Sequence, residues 1–216
     1  MAESKAGGGD IASTRSQRVR RSPEAARTEI LQAAEAALEE LPFGELTVDV
    51  VMGRTSMTRS AFYHYFSGLD EIAVGLLDQI ERDIRASVDA WLKGETQEVD
   101  YRAATATHFE AMFANISAHR AAHTAVAQAA SGNRRVYQEW QRRVVGYFVD
   151  LTARFIRRQV AMGRSRVADP DRIAQALILM NNAVVNDSLS REAPDSPREL
   201  ARTVSVVWNA TIYGAP

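Results

Sequence analysis

The sequence contains no cysteine. That excludes a disulfide framework and any thiolate metal site, and it fits a reducing compartment. Long apolar runs are missing too. The hydrophobic stretches are short and broken by Arg, Asp or Asn, so no membrane span is expected, and the start of the chain lacks the continuous apolar segment of a secretory signal. The expected location is the cytoplasm. Charge of one sign is also lacking: 26 Lys and Arg against 27 Asp and Glu give a net charge of −1, so any nucleic-acid surface must be local. Nothing resembles a Gly-rich phosphate loop, a G-x-S-x-G elbow or an H-E-x-x-H helix. His119 and His123 stand four apart, but no carboxylate at ligand spacing joins them, so no metal and no other cofactor is expected. No internal repeat is present.

The informative stretch runs from Thr47 to Asp70. Thr47-Val48-Asp49-Val50-Val51-Met52 and Thr58-Arg59-Ser60-Ala61-Phe62-Tyr63-His64-Tyr65-Phe66 read as two short helices, each opened by a Thr able to cap it. A polar break of about four residues between them is the spacing of a helix-turn-helix. In the second helix Phe62 and Phe66 fall on one face, leaving Arg59, Ser60, Tyr63 and His64 on the other. Donors and rings without a carboxylate suit a phosphate backbone and the edges of bases in a major groove.

Residues 1–22 are small and polar, include Gly7-Gly8-Gly9, and read as a disordered basic arm. Arg15, Arg18, Arg20 and Arg21 in this arm can follow a phosphate strand or enter a minor groove. From Arg15 to Phe66 seven Arg oppose seven Asp or Glu, so without the arm the helix-turn-helix would be acidic. A first helix begins at Ser22-Pro23-Glu24 and carries Ile30, Ala34, Ala37, Leu38 and Leu41 on one stripe until Pro42. The three helices form a head over 23–68. From Leu69 onward the pattern is of long amphipathic helices without strand-like alternation, at about 69–92, 100–117, 119–130, 134–163, 170–189 and 197–213. The expected fold is therefore all-α, with about nine helices.

Met57 to Phe66 resembles the "I-S-x-x-T-F-Y-x-Y-F" recognition helix of the TetR family of transcriptional regulators, and Asp70-Glu71-Ile72 resembles the opening of that family's connecting helix. A second likeness extends further. Leu177-Ile178-Leu179-Met180-Asn181-Asn182, Ser196-Pro197 and Thr211-Ile212-Tyr213-Gly214, with Trp140 and Tyr147, resemble the ethionamide-resistance repressor branch, which has a narrow apolar ligand tunnel and represses a monooxygenase gene. Three positions depart from the family. Ser56 stands where Gly is usual at the turn, Met52 where a small Ala is common, and Leu69 where a Lys usually contacts phosphate.

The resemblance implies a homodimeric repressor of a palindromic or near-palindromic double-stranded DNA operator, released by a small hydrophobic effector and free of any membrane partner. Residues 69–216 would form the ligand-binding and dimerisation domain. Arg59, Ser60, Ala61 and His64 are the candidates for base edges, with Arg59 matched to guanine O6 and N7. Thr47, Thr58, Tyr63 and Tyr65 are candidates for phosphates, joined by Arg54 and the arm. Candidate ligand contacts are Phe109, Met112, Phe113, Trp140, Val144, Tyr147, Asn181 and Trp208, an apolar set with an amide anchor. Ile173, Leu177, Met180 and Val184 form one apolar stripe and Leu200, Val204, Val207 and Thr211 another, which two subunits can join as a four-helix bundle. The rival readings are a helical effector-binding protein with impaired DNA binding and an all-α enzyme. If the arm touches phosphates, deleting residues 1–21 flattens the dependence of DNA affinity on salt, and an unchanged slope in a fluorescence anisotropy titration dismisses the arm.

Overall fold

The structure, a computed structural model, describes residues 22–96 and 100–214. Every regular element in these residues is helical. Helix α1 (Pro23–Leu38) starts where the Ser22 hydroxyl accepts from the Ala25 N–H at 3.1 Å, and Pro23 fills the first turn, where its missing N–H costs nothing. A 3-10 turn, Phe43–Glu45, leads to α2 (Val48–Met52), whose N-cap Thr47 accepts from the Val50 N–H at 3.2 Å. The corner between α2 and α3 (Arg59–Tyr65) occupies 53–58, longer than the break read from the sequence. Thr58 does not cap α3 as expected: its hydroxyl is bonded to that of Ser60 at 2.9 Å. Ser56 needs no left-handed backbone, since no described residue other than glycine has positive φ. The corner takes another form, with the Glu29 carboxylate accepting from the Ser56 N–H at 3.2 Å.

Phe62 and Phe66 fill the centre of this head, 0% and 2% exposed, against Ile30, Ala34 and Val51. The Arg27 guanidinium lies 4.4 Å over the Phe66 ring and donates to the Tyr65 carbonyl at 3.3 Å, closing the end of α3 onto α1.

Helix α4 (Leu69–Lys93) carries the head. Its buried row Ile72, Leu76, Ile80, Ile84, Val88 and Leu92 steps by four residues at a time. At 100° per residue each step advances the row by about 40°, so the apolar face winds around the helix and meets different neighbours at its two ends. The principal core consequently runs unbroken from Ile30 through α4 to Ile212. Gly75 sits where α1 crosses α4: a Cβ there would lie 2.6 Å from Leu31 Cδ2.

The body consists of α5 (Tyr101–Ala118), α6 (Arg120–Gly132), a long α7, α8 (Pro170–Ser190) and α9 (Pro197–Tyr213). Helix α7 spans 134–161 as three consecutive segments, Arg134–Trp140, Gln141–Gly146 and Tyr147–Ala161, the middle one wound as a π-helix. Asp169 caps α8, and Ser196 with Glu199 forms the capping box expected for α9. Helix α9 packs on α5, while α8 packs on the second half of α7.

Because Phe62 is the fully buried anchor of the smallest part of the core, Phe62→Ala is expected to destabilise the protein by about 3–5 kcal/mol. A urea titration followed by far-UV circular dichroism measures this, and a loss much below that range would show that the head is not packed around α3.

Candidate functional site

Two features stand out once the helices are in place: the outer face of α3 and a cavity inside the body. On α3 the side chains of Arg59, Ser60, Tyr63 and His64 are exposed and those of Ala61 and Tyr65 half-buried, while Thr47 and Thr58 are exposed at the starts of α2 and α3. These eight candidate DNA contacts lie on the two helix-turn-helix elements and their caps. Tyr63 is 54% exposed, unusual for so large a ring. Arg59 and Arg54 do not point freely outward. Arg59 Nη1 donates to both carboxylate oxygens of Asp49 at 2.6 Å, and hydrogen bonding to Tyr63 and Asp49 holds this guanidinium above its ordinary pKa. Arg54, a candidate phosphate contact, makes a two-pronged pair with Glu40 at 3.0 Å and 2.7 Å. Arg15, Arg18, Arg20 and Arg21 lie outside the described residues.

Asp70, exposed, and Glu71, half-buried, at the start of α4 are both engaged by neighbouring groups. The Asp70 carboxylate accepts from Asn133 Nδ2 at 2.6 Å, and Asn133 is also the N-cap of α7. Glu71 accepts from the Ser67 N–H at 2.7 Å, which lowers its carboxyl pKa, and lies 3.5 Å from Arg135. Further along α4, Arg143 pairs with Asp78 and Glu81 at 2.5 Å and 2.6 Å. The Tyr147 hydroxyl donates to Asp89 at 2.6 Å while Arg85 covers the Tyr147 ring at 3.7 Å. These contacts form a polar ladder that fastens α7 to α4 along most of its length. Two further bonds reach the head from α6 and its N-cap: His119 Nδ1, at the cap, to the Glu35 carboxylate at 2.9 Å, and Gln128 Oε1 accepting from the Phe43 N–H at 3.0 Å.

The other side of α7 faces a cavity of about 360 Å³ between α4, α5, α6, α8 and α9. Of the eight candidate ligand contacts, Phe109, Met112, Trp140, Val144, Asn181 and Trp208 line it. Phe113 and Tyr147 do not. Phe113 is buried behind Phe109, stacked on it at 5.9 Å, and Tyr147 is committed to α4 through Asp89. Asn181 is already engaged, its Oδ1 accepting from Trp208 Nε1 at 3.0 Å, which fixes the Trp208 ring edge-on to Phe109 at 4.9 Å. Sequence reading missed the α4 wall of Ile84, Val88 and Leu92, and also missed His123, Tyr137 and Gln141. The α4 wall was legible in principle from its four-residue row; the others had no local signal. No Asp, Glu, Lys or Arg lines the cavity among the described residues. The π-wound segment contributes Gln141 and Val144, so the cavity wall contains the one stretch of α7 whose backbone departs from α geometry.

The candidate dimer residues divide. Leu177, Leu200 and Val204 are buried inside the subunit and are corrected to core positions; Ile173, Met180, Val184 and Thr211 are half-buried, and Val207 is exposed. The outward apolar strip is one helix step away, with Leu179 47%, Val206 63% and Val207 40% exposed. Ala176 and Ala183 on α8 and Ala210 on α9 extend it.

Residues 105–214 match the family described as the transcriptional regulator EthR, C-terminal domain. The HTH-type transcriptional regulator EthR of Mycolicibacterium smegmatis is 26% identical over 191 residues, covering 86% of this chain and 85% of the relative. Among solved structures, Salmonella enterica GusR superposes with a TM-score of 0.70 at 17% identity, covering 89% of this chain and 98% of that one. SmeT, the repressor of the Stenotrophomonas maltophilia multidrug efflux pump SmeDEF, gives 0.61 at 19% identity over 87% and 90%. SmeT has also been solved in complex with triclosan.

Burial pushes the His123 imidazole down from 6.5 to about 4, with a smaller push from His119. The unfolded chain therefore takes up this proton first as pH falls. Stability is full above the ordinary His value and declines below it until about pH 4, by up to about 3 kcal/mol. Comparing urea midpoints at several pH values for the wild type and His123→Gln checks this: the decline should be smaller in the variant by about that amount.

Proposed function

This chain belongs to the EthR family of TetR-type DNA-binding transcriptional regulators and is not an enzyme, and from that membership we propose that it is a homodimeric repressor released from its operator by a small hydrophobic ligand. Residues 23–68 read DNA, residues 69–216 hold the ligand and the dimer contact, and the arm of residues 1–22 adds phosphate contacts. The observation that carries the reading is the double duty of α4. Its first turns pack on the head, and its later residues Ile84, Val88 and Leu92 line the cavity.

On this reading Arg59, Ser60, Ala61 and His64 face base edges, and Thr47, Thr58, Tyr63 and Tyr65 meet phosphates. The operator is palindromic or nearly so, because two α3 helices related by a two-fold axis read half-sites spaced by about one helical turn or a multiple of it. The dimer axis runs through the outward strip of α8 and α9. Leu179, Val206 and Val207 supply its apolar centre, with Met180, Val184 and Thr211 at its border. No helix among the described residues is long and apolar enough to cross a membrane, which accords with action in the cytoplasm.

Release is a population shift. A ligand that fills the cavity presses on Trp140, Gln141 and Val144 of α7, and the ladder from Asn133, Arg135 and Arg143 passes that displacement to α4. The state favoured by ligand spaces the two heads wrongly for successive grooves.

Fluorescence anisotropy with duplex DNA from upstream of the protein's own gene tests this. The wild type should bind at low salt. Arg59→Ala should lose about 1–3 kcal/mol, the worth of one bidentate base contact. Val206→Asp, at the most exposed position of the strip and outside the cavity lining, should shift the protein to monomer in sedimentation and weaken operator binding. Triclosan, an apolar probe, should quench Trp140 and Trp208 fluorescence and release the DNA. Failure to bind DNA at low salt overturns the reading, and binding of the probe without release overturns its ligand half.

A further inference from the structure

The described head holds three arginines, Arg27, Arg54 and Arg59, and each is occupied: Arg27 over Phe66, Arg54 by Glu40 and Arg59 by Asp49. The first two are fastened to the scaffold. The third lies on the reading face, and its partner comes from the other helix of the motif, so the Asp49–Arg59 pair bridges α2 and α3 at the surface turned outward. Both side chains are more than half exposed, at 58% and 67%, where an ion pair contributes little to stability. Its value has to be sought in what it does to Arg59.

An unpaired guanidinium in a groove is drawn to the nearest phosphate, and that attraction carries no sequence information. With a carboxylate against Nη1, the net charge of the pair is near zero and the pull of phosphate is largely cancelled. What remains is the hydrogen-bonding pattern. A guanidinium has five N–H donors; Asp49 and the neighbouring Tyr63 engage part of the set, and those left over are fixed in direction by these bonds. Such a pre-oriented fork fits the paired acceptors of guanine, while the adjacent carboxylate disfavours the phosphate that an unpaired fork would also fit. Asp49 itself is repelled by phosphate, which weakens binding in registers where Arg59 finds no guanine.

We propose that Asp49 is a specificity-setting residue of the DNA-reading face: by holding Arg59 across the α2–α3 corner it makes that arginine a reader of guanine and keeps it from serving as a phosphate clamp. The proposal rests on the assignment of α3 as the DNA reader. Asp49 is a positioning residue, acting on sequence choice through Arg59.

The test is selection from a random-sequence duplex library with the full-length wild type, Asp49→Asn and Arg59→Ala, paired with anisotropy on a fixed, unselected duplex over a range of salt. The wild type should select a motif with a guanine in each half-site, and Arg59→Ala should lose that preference. Asp49→Asn, with an unchanged circular dichroism spectrum, should lower the guanine preference at least fivefold. It should also raise affinity for the unselected duplex several-fold and steepen its salt slope by about 0.9 per half-site, the mark of one added phosphate contact. A purely structural pair would leave both the base preference and the salt slope untouched. A wild-type motif that Asp49→Asn leaves intact overturns this inference alone. A wild type that selects nothing and does not bind DNA removes the DNA-reading assignment and this inference together.

Discussion

The structure depends on one helix having two apolar ends. Over 25 residues, about 37 Å at 1.5 Å per residue, α4 has to complete the core of a head too small to stand well alone and also form one wall of the body. A row stepping by four residues does this because it winds: Ile72 and Leu76 serve the head while Val88 and Leu92 serve the cavity. Had the apolar positions alternated between three and four, the row would have kept to one side, and the head and the body would have competed for the same face.

The polar contacts divide labour with that core. Those between α4 and α7 are carboxylates on one helix met by Asn, Arg and Tyr on the other, and they fix where α7 lies along α4. The cavity wall opposite carries no charged side chain among the described residues. A ligand in the cavity would therefore meet a surface held by van der Waals contact, backed by one that holds register through ion pairs. In the head the arrangement is reversed. There Arg54 and Arg59 are paired with carboxylates from the same small unit, and the described part of the DNA-reading face carries no surplus of positive charge from them.

Much of this was legible in the sequence. Helix starts with Pro in the first turn, at Pro23, Pro170 and Pro197, were found where Ser22, Asp169 and Ser196 cap them, because capping is a local interaction between residues a few positions apart. The exposed face of α3 followed from the spacing of Phe62 and Phe66. What escaped notice depends on separation in the chain. The Arg59–Asp49 pair requires knowing how α2 and α3 cross and the Arg54–Glu40 pair where the end of α1 lies against the corner, and Ser56 is accommodated by Glu29 from another helix. Three residues of the expected apolar stripes of α8 and α9 turn inward for a related reason. Both helices are apolar on two sides, and only the neighbouring helices determine that Leu177, Leu200 and Val204 turn inward while Leu179 and Val206 turn out. Phe113 and Tyr147 erred similarly, as aromatic content locates a core but does not tell its lining from its backing.

Gly75 bears on all of this. With no Cβ, it leaves room for the Leu31 side chain of α1 against the α4 backbone, in the space a methyl group would claim. In mechanical terms the head is a crank set on its shaft: with Leu31 seated against Gly75, a small roll of α4 about its own axis carries the outer face of α3 through an arc set by its distance from that axis.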